Sequence, residues 1–525
     1  MKKTMSTLTT APLSDYAIIV DSADNVAVVK TETFAGLELA LPDGSAMTVN
    51  TAVPPGHRFA TRAIPAGDFV LQYRQPIGTS LGIETGDWIT HENMSDEVPV
   101  VRDLPPDLHT DAPDYFPPDA RASFRGFRRP DGRVGTRNFI LIVPTSMCAS
   151  HEAQQISIIS EFTLWSREKF PNVDGIVAIP HNKGCGCQDG STIDVMLRTL
   201  SNYAEHPNVG GVILIDLGCE KTNLSVVEKY LLKREKVFQK PVAKIGIQEV
   251  GGTQAAIARG LQEVERMLPE VNRATRETVP VSELVLGVKC GGSDGFSGIS
   301  ANPSLGRASD LLVRSGGTVL ITEVPEFCGA EHILANRAKD FETGQAVYEM
   351  VDWYKDFASK FGGVLNQNPS AGNKAGGLLN ITIKSLGAIA KAGTTRVEGV
   401  VGYAETPTTR GLNLMQGPGY DQESTPGLVA AGATVIVFTT GRGTTIGNAI
   451  APVIKLASNS PVFARMSNDL DLSAGGVIDG TETIDEVGAR VFEHIVTVAG
   501  GEEQAKAEIH KHREFQFWAE QTVSL

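Results

Sequence analysis

The chain has 525 residues, of which 41% are apolar and 21% charged, with Lys+Arg 47 against Asp+Glu 61 and a formal net charge of −14. Such a length is a prior of about three to four domains, and the apolar share is enough to give each a core. The acidic balance argues against nucleic acid and anionic membrane as partners, because both are held by basic surface. It leaves open an anionic small molecule in a local basic pocket.

Met1-Lys2-Lys3 imitates the start of a secretory leader, but Thr4 to Thr10 is mostly hydroxyl residues and supplies no apolar stretch. No run approaches the ~18 apolar residues of a membrane span. The six cysteines show no framework spacing, which favours reduced thiols and a cytoplasmic location. Residues 15–98 contain short β-rich runs, Tyr16–Val20, Val26–Val29 and Phe69–Tyr73, cut by Asp43-Gly44, Pro54-Pro55-Gly56 and Thr85-Gly86-Asp87. This pattern predicts a small all-β domain over 1–98. Six prolines between Pro99 and Pro118 exclude helix and central strand, so 99–124 reads as an extended linker.

From Arg125 the grammar changes. Phe139–Val143, Gly175–Ile179 and Gly211–Ile215 are continuous apolar runs of the kind found in buried parallel strands, and Ser191–Tyr203 and Leu224–Leu232 have helical spacing. A boundary near Arg273–Pro280 separates a middle α/β domain, 125–278, from a second one, 279–525. There Leu284–Leu286, Gly317–Ile321 and Thr434–Phe438 read as strands, with helices at Ser304–Ser315, Gln345–Phe361 and Thr483–Val498. The fold class is therefore α/β multidomain: a small N-terminal β domain, then two Rossmann-like units built on mainly parallel sheets.

Four cysteines, Cys148, Cys185, Cys219 and Cys290, follow predicted strands directly. Ligands of open parallel sheets bind at those strand ends, and soft thiolates select iron, zinc or an iron–sulfur cluster. Two glycine-rich loops, Cys290–Gly298 and Gly441–Gly447, are candidate anion cradles, with Arg442 in the second suited to a carboxylate. Gly291-Gly-Ser293-Asp-Gly295 also matches the nucleophile elbow of serine hydrolases, which keeps a hydrolase using Ser293 as an alternative. His57 and His91 stand beside turns of the β domain, where each could complete a site shared with another unit.

Taken in order, these motifs resemble the altronate/galactarate dehydratase family. They are Pro55-Gly-His-Arg58, Trp88-Ile-Thr-His-Glu-Asn93, Gly126 to Asn138, Leu217-Gly-Cys-Glu-Lys221, Cys290 to Gly298, Thr322-Glu-Val-Pro-Glu326, Asn368 to Lys374 and Phe438 to Gly443. Departures from the family pattern include Ala371 and Thr445, each where proline is usual. The resemblance implies a SAF-type N-terminal domain and iron-dependent dehydration of a sugar acid, galactarate before altronate, to a 2-keto-3-deoxy acid. It also implies a homo-oligomer, with a dimer favoured. Cys148, Cys185, Cys219 and Cys290 are the expected ligands of Fe2+, with an iron–sulfur cluster or another divalent metal as alternatives. His57, His91, Lys374, Asp294 and Glu323 are candidate catalytic groups. Arg442, Gly441, Gly443, Ser293 and Asn373 are candidate substrate contacts. A sulfo-lyase on the same scaffold would keep proton abstraction and change only the leaving group.

Overall fold

A computed structural model describes residues 10–233 and 239–518. Its N-terminal part is a set of short strands in three three-stranded sheets, with Val26–Val29 wholly buried. Tyr16–Val20 is not a strand. Leu13–Tyr16 form one helical turn and only Ala17–Ile18 pair, because Leu13 is buried inward by that turn. The strand Phe69–Gln72 turns at Tyr73 and Arg74, both in the left-handed region, and pairs back onto Gln75–Ser80.

The proline-rich segment is extended and packed. Leu104 and Leu108 cover the core of the third unit, and Arg102 pairs with Glu331 and Asp352 there. It is a strap across the C-terminal unit. Beyond it, Ser123–Arg128 pairs antiparallel with Glu277–Pro280, so the two ends of the middle unit meet.

In the two α/β units we number the strands and the helices used below. The middle sheet contains β1 (Phe139–Pro144), β2 (Gly175–Ala178), β3 (Val209–Asp216) and β4 (Val242–Gly246). All are parallel, in the order β2-β1-β3-β4. Helices α1 (Ser150–Thr163), α2 (Ser191–Glu205) and α3 (Thr253–Val271) cover it. Apolar residues point to both faces of β1, as Leu141 and Val143 join one core and Ile140 and Ile142 another. Two-sided burial is why the strand reads as an unbroken apolar run.

The third unit has seven parallel strands: β5 (Val285–Cys290), β6 (Thr318–Ile321), β7 (Val397–Val401), β8 (Gly411–Met415), β9 (Val435–Thr440), β10 (Val453–Ala457) and β11 (Leu472–Ser473). Their order is β7-β8-β6-β5-β9-β10-β11. Helices α4 (Ala301–Arg314), α5 (Asp421–Ala430) and α6 (Ile484–Gly500) pack on it. Each sheet winds both ways from its first strand. After β1 the chain steps to β2 on one side and then to β3 on the other; after β5 it fills β6 to β8 and then crosses to β9. Such reversals leave a crevice at the carboxyl ends of the central strands, which is where ligands bind in open sheets. Among the described residues no helix is long and apolar enough to cross a membrane.

Candidate active site

At the reversal in the third unit, β5 ends in Lys289 and Cys290 and β6 runs into Thr322 and Glu323. Glu323 is fully buried and sits at φ 77, a left-handed conformation uncommon for a residue with a side chain. That backbone turns its carboxylate onto β5, where it accepts from the Cys290 amide at 3.2 Å and pairs with Lys289. Lys289 also reaches Asp421 at the start of α5, at 2.6 Å. Lys391 lies 3.1 Å from Cys290 Sγ, 3.6 Å from Glu323 and 3.5 Å from Glu326. Lys384 stands 2.9 Å from Glu326 and donates to Asn368 Oδ1 at 2.7 Å. The Cys290 thiol donates to Glu326 at 3.0 Å. Three ammonium groups thus face three carboxylates around one thiol, and only Asp421, about a quarter exposed, opens towards solvent.

Burial and the charge of Glu326 push the Glu323 carboxyl up to about 7, although Lys289 and Lys391 oppose them. Burial works against the Glu326 charge as well, but Lys384, Lys391 and Lys289 outweigh it and bring that carboxyl down to about 2. Burial, reinforced by Glu326, raises the Cys290 thiol to about 12 and keeps it protonated. Two carboxyl groups pushed apart in this way suit opposite halves of a proton transfer. The Cys290, Glu323 and Glu326 donor atoms lie within 4.8 Å of one another. A divalent cation does not fit among them as they stand. Their charges are already matched by ammonium groups and the thiol is protonated, so the ion would bring uncompensated positive charge into a buried cluster.

The glycine loops lie on the other side of β5. Asp294 is buried and accepts from the Phe296 and Ser297 amides and from Ser297 Oγ, Ser458 Oγ and Asn459 Nδ2, at 2.8 to 3.2 Å. Burial raises its carboxyl in spite of these bonds. Its carboxylate therefore ties the loop after β5 to that after β10. Gly441 must be glycine here, since a Cβ would lie 2.1 Å from Asp294 Cγ. The Gly441 and Arg442 amides donate to Gly292 O, and Gly443 donates to Thr440 Oγ1. Asn373 caps its own helical turn with Ser370 and donates to Ser293 O at 2.8 Å. The Ser293 hydroxyl is buried without a hydrogen-bond partner. No imidazole reaches it among the described residues, and His332 bonds Gln75 while His494 lies beside Glu503. The hydrolase triad is not assembled. Arg442 and Lys374 are exposed, and Gly372 lies between them with its Cβ position 3.9 Å from Arg442 Nε.

The β domain closes over these loops. His57 Nε2 lies 3.3 Å from Ala375 O, its ring packs edge-on against Trp88, and Nδ1 is buried without a partner. Burial lowers its ionisation, so the imidazole is neutral. Arg58, fully buried, donates to Gly377 O and to Gln72. His91 is half exposed and 3.7 Å from Asp96, whose carboxylate accepts from Asn366 and Asn380.

The other three candidate thiols lie at the reversal in the middle sheet, on the loops after β1 (Cys148), β2 (Cys185) and β3 (Cys219). Cys290 is not grouped with them. Its closest partners belong to the lysine–glutamate cluster. The two regions are joined through neighbouring elements. Helices α2 and α5 pack together. Burial raises the carboxyl of Glu423, two residues past Asp421, to about 7 against the opposing charge of Lys183. Lys289, Lys384, Lys391 and Asp421 escape the sequence reading, and Glu326 and Asn368 enter it only within the motifs, not as site residues. The signal for the lysines is Lys289 next to the end of the apolar strand Val285–Cys290, and two lysines seven residues apart in the mostly apolar stretch Ile381–Ala392.

Three family models cover the chain: an altronate/galactarate dehydratase SAF domain over residues 15–97, a D-galactarate dehydratase/altronate hydrolase second domain over 126–272, and a D-galactarate/altronate dehydratase C-terminal domain over 281–523. A galactarate dehydratase (L-threo-forming) of Escherichia coli is 38% identical over 93% of this chain and 94% of its own length. The chain belongs to the altronate/galactarate dehydratase family. An altronate dehydratase of the same organism is 34% identical over 93% of this chain and 95% of its length. The beta subunit of a (2R)-sulfolactate sulfo-lyase of Chromohalobacter salexigens is 33% identical over 75% of this chain and 96% of its length. As a family member the chain is a carbon–oxygen lyase of the hydro-lyase type, and its first domain is the SAF domain of that family.

Proposed function

We propose that this enzyme removes water from a sugar acid, galactarate in preference to altronate, giving a 2-keto-3-deoxy acid. The observation that carries the reading is the crevice beside β5. There three lysines and two oppositely tuned glutamates stand beside the glycine loops that follow β5 and β9. Dehydration requires a proton to leave the carbon next to a carboxylate and hydroxide to leave the neighbouring carbon. Arg442 and Lys374 hold the carboxylates of the substrate at the mouth of the crevice, and the loop of Gly441 and Gly443, folded on its own amide hydrogen bonds, fixes where Arg442 stands. The neutral His57, with its free Nδ1, is suited to accept a proton, and His91 and Lys374 are further candidates for proton transfer. Glu323 exchanges a proton near neutrality, and Lys289 stays an ammonium between it and Asp421 and steadies the charge that the exchange leaves behind. Asp294 and Asn373 position the loops. Iron is the proposed cofactor, and when bound it supplies a Lewis acid that eases the departure of hydroxide. Cys148, Cys185 and Cys219 would hold it.

Anaerobically purified, iron-reconstituted protein should form a 2-keto-3-deoxy acid from galactarate faster than from altronate, and chelator should suppress it. Sulfite release from sulfolactate without turnover of either sugar acid would move the reading to the sulfo-lyase. That alternative is favoured by the 33% identical relative. No product from any of the three, with iron bound, overturns both. Arg442→Ala and Lys374→Ala should each raise KM for galactarate about tenfold, the equivalent of a lost charge-assisted bond of ~1.5 kcal/mol. Unchanged KM in the double variant refutes their role.

A further inference from the structure

A cavity of about 530 Å³ lies where the middle and third units meet, between α2, the helix Phe341–Lys360 and the residues at the ends of β7 and β8. Gln416, directly after β8, lines it. Its amide nitrogen and oxygen are both buried, and neither has a hydrogen-bond partner. The side chain does not hold the loop, because the Gln416 main-chain amide does so by donating to Val401 O at 2.8 Å. A buried amide left unpaired is a cost that an apolar residue of the same size would not carry. The rest of the lining suits a ligand. Ser191, Asp194 and Arg198 come from α2, and Glu349 and Trp353 from the facing helix. Arg198 is anchored by donating to Tyr403 O at 3.0 Å, and Trp353 is stacked on Phe357 with ring centres 5.1 Å apart.

The amide selects the chemistry. It offers two donors and an acceptor, and neighbouring hydroxyls, each of which both donates and accepts, meet all of it. A carboxylate would meet only the nitrogen and set a negative oxygen against Oε1, with Asp194 and Glu349 adding repulsion. An ammonium group would meet only the oxygen and be opposed by Arg198. The cavity also stands apart from Arg442. Strands β8, β6, β5 and β9 are neighbours in that order, and at ~4.8 Å per step the end of β8 is about 14 Å from the end of β9. One sugar acid does not reach both.

We infer that this cavity binds a neutral polyhydroxy compound of sugar size, with a pair of its hydroxyls on the Gln416 amide, as a second ligand beside the acid that is turned over. The next residue couples the site to the cluster. Gly417 O accepts from the Val324 amide at 3.1 Å, and a Cβ on Gly417 would collide with Thr322 Oγ1. A ligand on Gln416 therefore steadies the turn that carries Glu323. The site rests on the cavity alone, and only its effect on turnover rests on the dehydratase reading.

The test is titration of the full chain with galactitol and with D-galactose, followed by calorimetry and tryptophan fluorescence. Saturable binding with a Kd of about 1 mM or tighter is expected. Gln416→Leu keeps the volume and removes both amide groups, so it should weaken binding about tenfold or more. Its Tm should equal or exceed that of wild type, since no hydrogen bond is lost. Trp353→Phe should remove most of the fluorescence change. Absence of binding, or equal binding by wild type and Gln416→Leu, overturns the site. A lower Tm in Gln416→Leu shows a structural amide and overturns it too. Galactarate that displaces galactitol from the Arg442→Ala/Lys374→Ala double variant overturns the neutral class. Galactitol should raise kcat/KM for galactarate about fivefold in wild type and leave Gln416→Leu unchanged. Binding without that rise overturns the coupling. Binding by a protein that turns over no sugar acid leaves the site standing and sinks the dehydratase reading.

Discussion

Lys289→Met should destabilise the protein by about 3–5 kcal/mol, the penalty for leaving buried charge without its partner. The lysine is fully buried between Glu323 and Asp421, and a methionine fills its volume without its charge. The loss should depend on pH. Glu323 ionises at about 7 in the folded protein, against an ordinary value of 4.5. Between those values the folded state holds a proton that the unfolded state has released, so the contribution of this group to stability falls as pH rises through 7. Below about 7 folded Glu323 is neutral and the missing ammonium matters less. Urea denaturation of both proteins at pH 6 and pH 8 should show the larger difference at pH 8. A difference under about 1 kcal/mol at pH 8 would mean that the cluster does not hold its charges as described.

The second large effect is expected at the seat of the SAF domain. Gly56 presses against the third unit, where the Gly295 amide donates to Gly376 O. A Cβ on Gly295 would lie 2.0 Å from Gly56 O, and one on Gly56 would lie 2.5 Å from Gly376 O. Main chain meets main chain, so neither side has a flexible side chain that can yield. Gly295→Ala should cost upwards of the 1–3 kcal/mol typical of overpacking. It should also expose the strap over residues 99–122 to protease and abolish turnover by moving His57. Gly67→Ala is the comparison. It shares a left-handed conformation with Gly56 but has nothing within 4 Å of its added methyl, so it should lose only about 1 kcal/mol and keep the strap protected. Equal protease sensitivity in the two variants would sink the docking account.

Six of the eleven parallel strands are legible in the sequence because two-sided burial leaves continuous apolar runs, as at Phe139–Val143; Val242–Gly246, Val397–Val401, Gly411–Met415, Val453–Ala457 and Leu472–Ser473 are not. The cysteines are legible as strand-end residues for the same reason. Which sheet edge each belongs to is set by strand order, and no local pattern carries strand order. Cys290 therefore falls with Glu323 and Lys391, away from Cys148, Cys185 and Cys219. Lys384 and Lys391 look like ordinary solvent-facing lysines until the chain from Asn380 to Ala392 is seen to run inside the unit. The tuning of Glu323 is still less legible, since it depends on a backbone conformation that favours glycine and on partners contributed from residues 289 to 421. The short helix at Leu13–Tyr16 escapes because four residues are too few to show a helical period. The prolines of 99–124 point to an extended linker, while its packing as a strap depends on Leu104, Leu108 and Arg102 meeting a surface distant in sequence.

The contact between Gly56, Gly295 and Gly376 has a consequence for how such enzymes diversify. Three peptide groups that meet there cannot yield, and around them the joint is side chain on side chain: Val26, Ile64, Val70 and Ile77 share a core with the third unit, and Asn380 donates to Ile77 O and to Asp96. The cap that carries His57 is therefore keyed to its own cradle, and the two are expected to change together in descent rather than one at a time.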